Sequence, residues 1–158
     1  DLFAGLLASS MDKNKADKAH PAFVEIIKQL TTDEANIINR FNNAIPIALI
    51  DLKYKRINQV GEFLMYENIS NLESECKIDN PELISGYINN LCRLGLVEIP
   101  SEYYVIHEGL YKNIENSPLV QGMVMQINRM VDVEIVMRRK ILRVTSFGHL
   151  FTKACTLQ

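Results

Sequence analysis

Five basic residues are the side chains of this sequence with the clearest chemical capability: Arg93, the run Arg138, Arg139 and Lys140, and Arg143 just beyond it. Arginine and lysine bind phosphate and carboxylate oxygens through charge-assisted hydrogen bonds. These five are therefore the candidate contacts for nucleic acid or for an acidic partner. If Arg138, Arg139 and Lys140 each neutralised one phosphate, log K against log salt would fall with a slope of about −2.7. A second basic group, Lys53, Lys55 and Arg56, lies far upstream. Charged turns also simply stay solvated and discourage edge pairing, and that plainer role stands open for both groups.

Residue types that do covalent or acid–base chemistry are present but not grouped. The sequence has no G-x-S-x-G, G-x-x-x-x-G-K, G-x-G-x-x-G or H-E-x-x-H pattern. His20 and His107 fall at expected helix starts, and His149 lies one turn from Lys153. Cys92 sits on an apolar helical stripe, where a small buried thiol is the ordinary occupant. Asp33 and Glu34 read as first-turn acids that complement a helix dipole, not as an acid–base pair. No enzyme activity, cofactor or metal is expected.

Net charge is −2, so no global field draws the chain towards nucleic acid or an anionic membrane, and any such binding needs a local patch. The three cysteines are widely spaced and form no C-x-x-C pair, which fits a reducing cytoplasm better than a disulfide framework or a zinc site. No apolar run approaches the ~20 residues that span a bilayer, and no signal-like segment opens the chain. Asp1 stands without methionine at the head of a helical pattern, which suggests a piece of a longer protein.

The elements that must position these groups follow from periodicity. Leu2 to Met11 has helical spacing, Pro21 suits the first turn of a helix ending near Leu30, and Thr31 with Glu34 forms a capping box. The apolar run Ile45 to Leu52 predicts a buried strand with Pro46 near its start. Lys53 to Asn58 reads as a basic turn, and Val60 to Tyr66 as a strand or a weakly marked helix. Ser70 with Glu73 predicts a short helix, and Pro81 to Leu94 a longer one stopped by Gly95. Tyr103 to Met130 predicts two helical segments broken at Ser117-Pro118. Val131 to Met137 and Ile141 to Val144 read as a hairpin with the basic run at its tip, followed by a closing helix.

That order predicts an α+β, mostly helical domain spanning 1–158. N-terminal helices occupy 1–43, and a winged-helix-like part occupies 44–158 with a helical insertion at about 103–130. Pro81 to Leu94 would be the recognition helix of a helix-turn-helix. Its open face presents Glu82, Ser85, Gly86, Asn89, Asn90 and Arg93, and a single arginine opposed by an acid is poor provision for phosphate binding.

Four segments carry a family resemblance: LFAGLLASSMD (2–12), HPAFVEIIKQL (20–30) with TDEA (32–35), NLCRLGL (90–96), and VTSFGHLF (144–151) with Cys155. They resemble the bacterial abortive-infection alpha family, a domain of unknown function, over nearly the whole chain. The resemblance implies a role in phage defence and no particular reaction, ligand or catalytic residue. The expected function is thus a non-enzymatic, cytoplasmic, bacterial protein that acts through an unidentified protein partner or self-association. A winged-helix nucleic-acid-binding regulator is the alternative.

Overall fold

The computed structural model describes residues 21–43, 45–101 and 107–156. The expected helix at 2–11, the position of His20 and the start of the 103–130 segment lie outside the described residues. The chain is α+β and divides into two compact units, each assembled from separated stretches: Asp1–Pro46, Cys76–Glu98 and Arg143–Gln158 in the first, Ile47–Glu75 and Ile99–Leu142 in the second.

In the first unit, α1 (Ala22–Ile27) and α2 (Thr32–Asn39) are followed by a 3₁₀ turn, Arg40–Asn43. The start of α2 is fixed by its capping box: Thr31 Oγ1 accepts from Glu34 N at 3.2 Å, and Glu34 Oε2 accepts from Thr31 N at 2.7 Å. A 3₁₀ turn at Pro81–Leu83 leads into α4 (Ile84–Arg93), which buries Ile84, Tyr87, Ile88 and Leu91. Its end is a Schellman motif: Gly95, at φ +72°, donates to Cys92 O at 2.9 Å, and Leu96 N donates to Leu91 O at 3.1 Å. A two-residue strand, β3 (Val97–Glu98), and α7 (Ser146–Thr156) complete the unit. Phe23 meets Phe147 and Phe151 at 5.4 Å between ring centroids, and Phe151 is fully buried.

In the second unit, β1 (Ile47–Arg56) lies between β2 (Phe63–Ile69) and β4 (Val133–Val144), antiparallel to both. The pairing order of the strands is β2-β1-β4-β3, the last residues of β4 pairing with β3 in the first unit. One face of the sheet, with Ala48, Ile50, Leu52, Ile69 and Ile141, is covered by α5 (Glu108–Glu115) and α6 (Pro118–Ile127) through Tyr111, Ile114, Val120 and Ile127. Ser117 caps α6 by accepting from Val120 N at 3.3 Å, with Pro118 in the first turn. A single turn, α3 (Leu72–Glu75), follows β2.

The fold is not a winged helix. The element expected as the first helix of a helix-turn-helix is the four-residue α3, which belongs to the second unit, whereas α4 belongs to the first. The expected hairpin is one unbroken strand: β1 pairs with β4 from Ile47↔Leu142 to Arg56↔Val133, straight through Arg138, Arg139 and Lys140. The physical reason is local. The run from Met137 to Ile141 holds no glycine, asparagine or proline to supply the positive-φ turn a tight hairpin needs. The same pairing carries β1 through Lys53 to Arg56, which were expected in a turn. The helical pair around Ser117-Pro118 is no insertion into a wing, because it forms the second layer over the sheet.

Candidate functional site

The five candidate cations are distributed over both units, and each is held by a named acceptor. In the first unit, Arg93 Nη2 donates to Gln29 Oε1 at 3.0 Å and to Asn90 Oδ1 at 2.7 Å. Asn90 in turn donates to Glu34 Oε1 at 2.7 Å. The supposed open face of the recognition helix is thus bonded to α2 and the loop before it. Arg143 donates to Glu98 Oε1 at 2.7 Å, across the β3–β4 pairing.

The other three share one strand and alternate between the faces of the sheet. Arg139 turns towards α5, where its guanidinium grips Glu115 (2.7 and 3.0 Å) and Glu108 (2.9 and 3.0 Å) and lies 5.2 Å from the ring centre of Tyr111. These two carboxylates, Glu115 foremost, hold its pKa above the usual arginine range. Lys140 turns the other way and lies 2.7 Å from Asp51 Oδ1 and 2.6 Å from Asn68 Oδ1. Asn68, itself at φ +56°, donates its backbone N–H to Asp51 at 2.9 Å. One ammonium therefore ties β4 to β1 and β2.

Arg138, on the same face as Lys140, contacts Glu62, which also lies 3.6 Å from Lys53 and 3.8 Å from Lys55. The two basic groups, some 80 positions apart in sequence, thus converge around one carboxylate. The Arg138 hydrogen bond, together with the charges of Lys53 and Lys55, keeps the Glu62 carboxyl below its usual range. Three cations thus meet at one carboxylate. Lys55 and Arg138 are the more exposed of the three, at 45% and 55%.

Asp33 serves structure. Asp33 is 2% exposed. Burial alone would raise its pKa, but hydrogen bonds from Asp79 N (2.8 Å), Asn80 N (3.0 Å) and the Tyr87 hydroxyl outweigh that and hold it below the usual range. It anchors the loop that opens the 81–94 helical segment, a role the sequence reading, which assigned it to a helix dipole, did not find. Cys155 is buried, and burial pushes its thiol pKa up to about 12. His149 and Lys153 line a shallow hollow of about 400 Å³ with Asn42 and Thr152. Among the described residues no group of His, Cys, Asp or Glu is placed to hold a metal ion, and no helix is long and apolar enough to cross a membrane.

One surface feature escaped the sequence reading altogether. Among the described residues β2 is the outermost strand in the pairing order, and three consecutive large apolar residues on it are exposed: Phe63 (40%), Leu64 (51%) and Met65 (44%). Between Phe63 and Ile69 the strand has no lysine, arginine or proline to guard an open edge; what it carries is two register shifts against β1.

The described elements define an α+β protein. The model of the family described as abortive infection alpha matches residues 1–155, and the chain belongs to that family. No curated protein matches it. Among solved structures it is similar to an uncharacterized protein from the hydrocarbon-degrading marine bacterium Alcanivorax borkumensis SK2. The identity is 21% and the TM-score 0.57, over 93% of this chain and 99% of the other. At that identity the likeness establishes a shared fold.

Proposed function

We propose that this chain is a non-enzymatic, cytoplasmic component of bacterial phage defence that acts by docking protein through the open edge of β2. The abortive-infection family supports the setting. The observation that carries the mode of action is the exposed Phe63-Leu64-Met65 run on an outermost strand. An unpaired edge offers backbone N–H and C=O groups to an added strand, and neighbouring apolar side chains supply the buried area. The engagement of Asp33 and Glu34 in loop and helix capping, and the raised pKa of Cys155, favour contact over chemistry. The test is phage challenge of cells producing the wild type or Leu64→Lys. Protection by the wild type and its loss with a folded Leu64→Lys protein is the expected result. Equal protection by both removes the β2 edge from the mechanism, and unchanged phage growth with the wild type across a varied panel removes the defence role.

A second reading has its own observation, the convergence of Lys53, Lys55 and Arg138 around Glu62. Such a patch suits a phosphate backbone. Nucleic-acid affinity that falls steeply with salt, and that weakens in Arg138→Ala, would favour this reading over protein docking.

A further inference from the structure

We infer that the strand docking on β2 is β2 of a second copy of this chain, paired antiparallel about a two-fold axis between Leu64 and Met65. The inference rests on β2 being the contact edge proposed above, and it adds the identity and register of the occupant.

The argument starts from an irregularity. Opposite the consecutive residues Leu52 and Lys53 of β1 stand Tyr66 and Leu64 of β2, so Met65 is an extra residue in the ladder. In a regular strand, residues three apart point to opposite faces. With one residue inserted they point to the same face. Phe63 stacks on Tyr54 at 5.2 Å between ring centroids, and Tyr66 hydrogen-bonds Gln126 of α6, so both rings lie on the helix-covered face. Glu62, with Lys53 and Arg138, lies on the other face.

This spacing makes the edge complementary to itself. Antiparallel pairing centred between Leu64 and Met65 sets Phe63 opposite Tyr66 of the second copy, and the symmetry axis repeats the pair. Cross-strand aromatic pairs are among the more favourable contacts in antiparallel sheets. The same register sets the exposed Leu64 opposite the exposed Met65 of the second copy, so the apolar run covers itself. A contact in which the same patch serves both copies is the ordinary form of a two-fold dimer.

The test combines sedimentation with cross-linking on the full chain. The wild type is expected to run at about twice the monomer mass over a concentration series, and Leu64→Lys with Met65→Lys to run as a monomer with unchanged far-ultraviolet circular dichroism. Phe63→Cys combined with Tyr66→Cys is expected to give a disulfide-linked dimer on oxidation that neither single variant gives, which controls for Cys76 and Cys92. The cross-link alone decides the matter if the lysine variant fails to fold. A monomeric wild type at every concentration, a dimer untouched by the lysines, or a dimer without the double-cysteine cross-link would each overturn the inference. Loss of phage protection in Leu64→Lys alongside a monomeric wild type would sink self-pairing while leaving the protein-docking reading intact.

Discussion

Gly148, in the first turn of α7, sits so close to Leu96 that a Cβ built on it would lie 1.9 Å from the Leu96 carbonyl oxygen. The approach is fixed by Thr145, whose N–H donates to Leu96 O at 3.0 Å and whose hydroxyl donates to Gly95 O at 2.6 Å while accepting from Gly148 N at 2.9 Å. Thr145 is thus the cap of α7 and its clamp to the turn after α4. The obstructing atoms are backbone and cannot swing aside. Gly148→Ala should lower unfolding free energy by about 1–3 kcal/mol, the usual cost of overpacking. Gly86→Ala, in α4 with nothing within 4 Å of the new Cβ, should raise it by about 0.5–1 kcal/mol. Urea denaturation of both variants checks the pair, and equal effects would refute the close approach.

Asp33 links acidity to stability. Its folded pKa is depressed, so its contribution is fully present above the unfolded value of about 3.9 and is lost as pH falls through the folded value. Asp33→Ala, which strips Asp79 N and Asn80 N of their acceptor, should cost about 1–3 kcal/mol at neutral pH. The gap between wild type and variant should narrow in acid. Denaturant melts across a pH series give the answer, and a gap that widens on acidification contradicts the assignment.

Lys140 and Asp51 form an ion pair in which the carboxylate is 7% exposed. Lys140→Met leaves that carboxylate without its cation and should destabilise by about 3–5 kcal/mol, whereas adding Asp51→Asn should recover much of the loss. A double-mutant cycle measures the coupling. Additive single effects would mean the pair does not act as a unit.

Cys155 should resist thiol reagents at neutral pH, because it is buried and its pKa is pushed up to about 12. Titration with a chromogenic disulfide should show one cysteine that reacts only after denaturant is added. Its rapid labelling in the native protein would mean that α7 opens readily.

How much of this was legible in the sequence depends on how far apart the partners lie. Thr31 with Glu34, Ser117 with Pro118, and Gly95 after Leu94 mark helix ends correctly, because capping groups act within a turn of the chain. The strand start after Pro46 was readable for the same reason. Lys53 to Arg56 and Arg138 to Lys140 were misplaced in turns because their carboxylate partners, Glu62, Glu108, Glu115 and Asp51, are brought to them only by folding. A charged run looks like a turn until each side chain's distant acceptor is known.

The sequence alone therefore determined several helix ends and, through its motifs, the family. It held the segments LFAGLLASSMD and VTSFGHLF, the caps and the apolar stripes, all of which act over a few residues. Tertiary structure alone decided that β4 runs unbroken beside β1, that two basic groups meet at Glu62, and that Phe63, Leu64 and Met65 lie exposed on an outermost strand. Strand order and face depend on pairings between residues tens of positions apart, and no local propensity encodes which edge is left open.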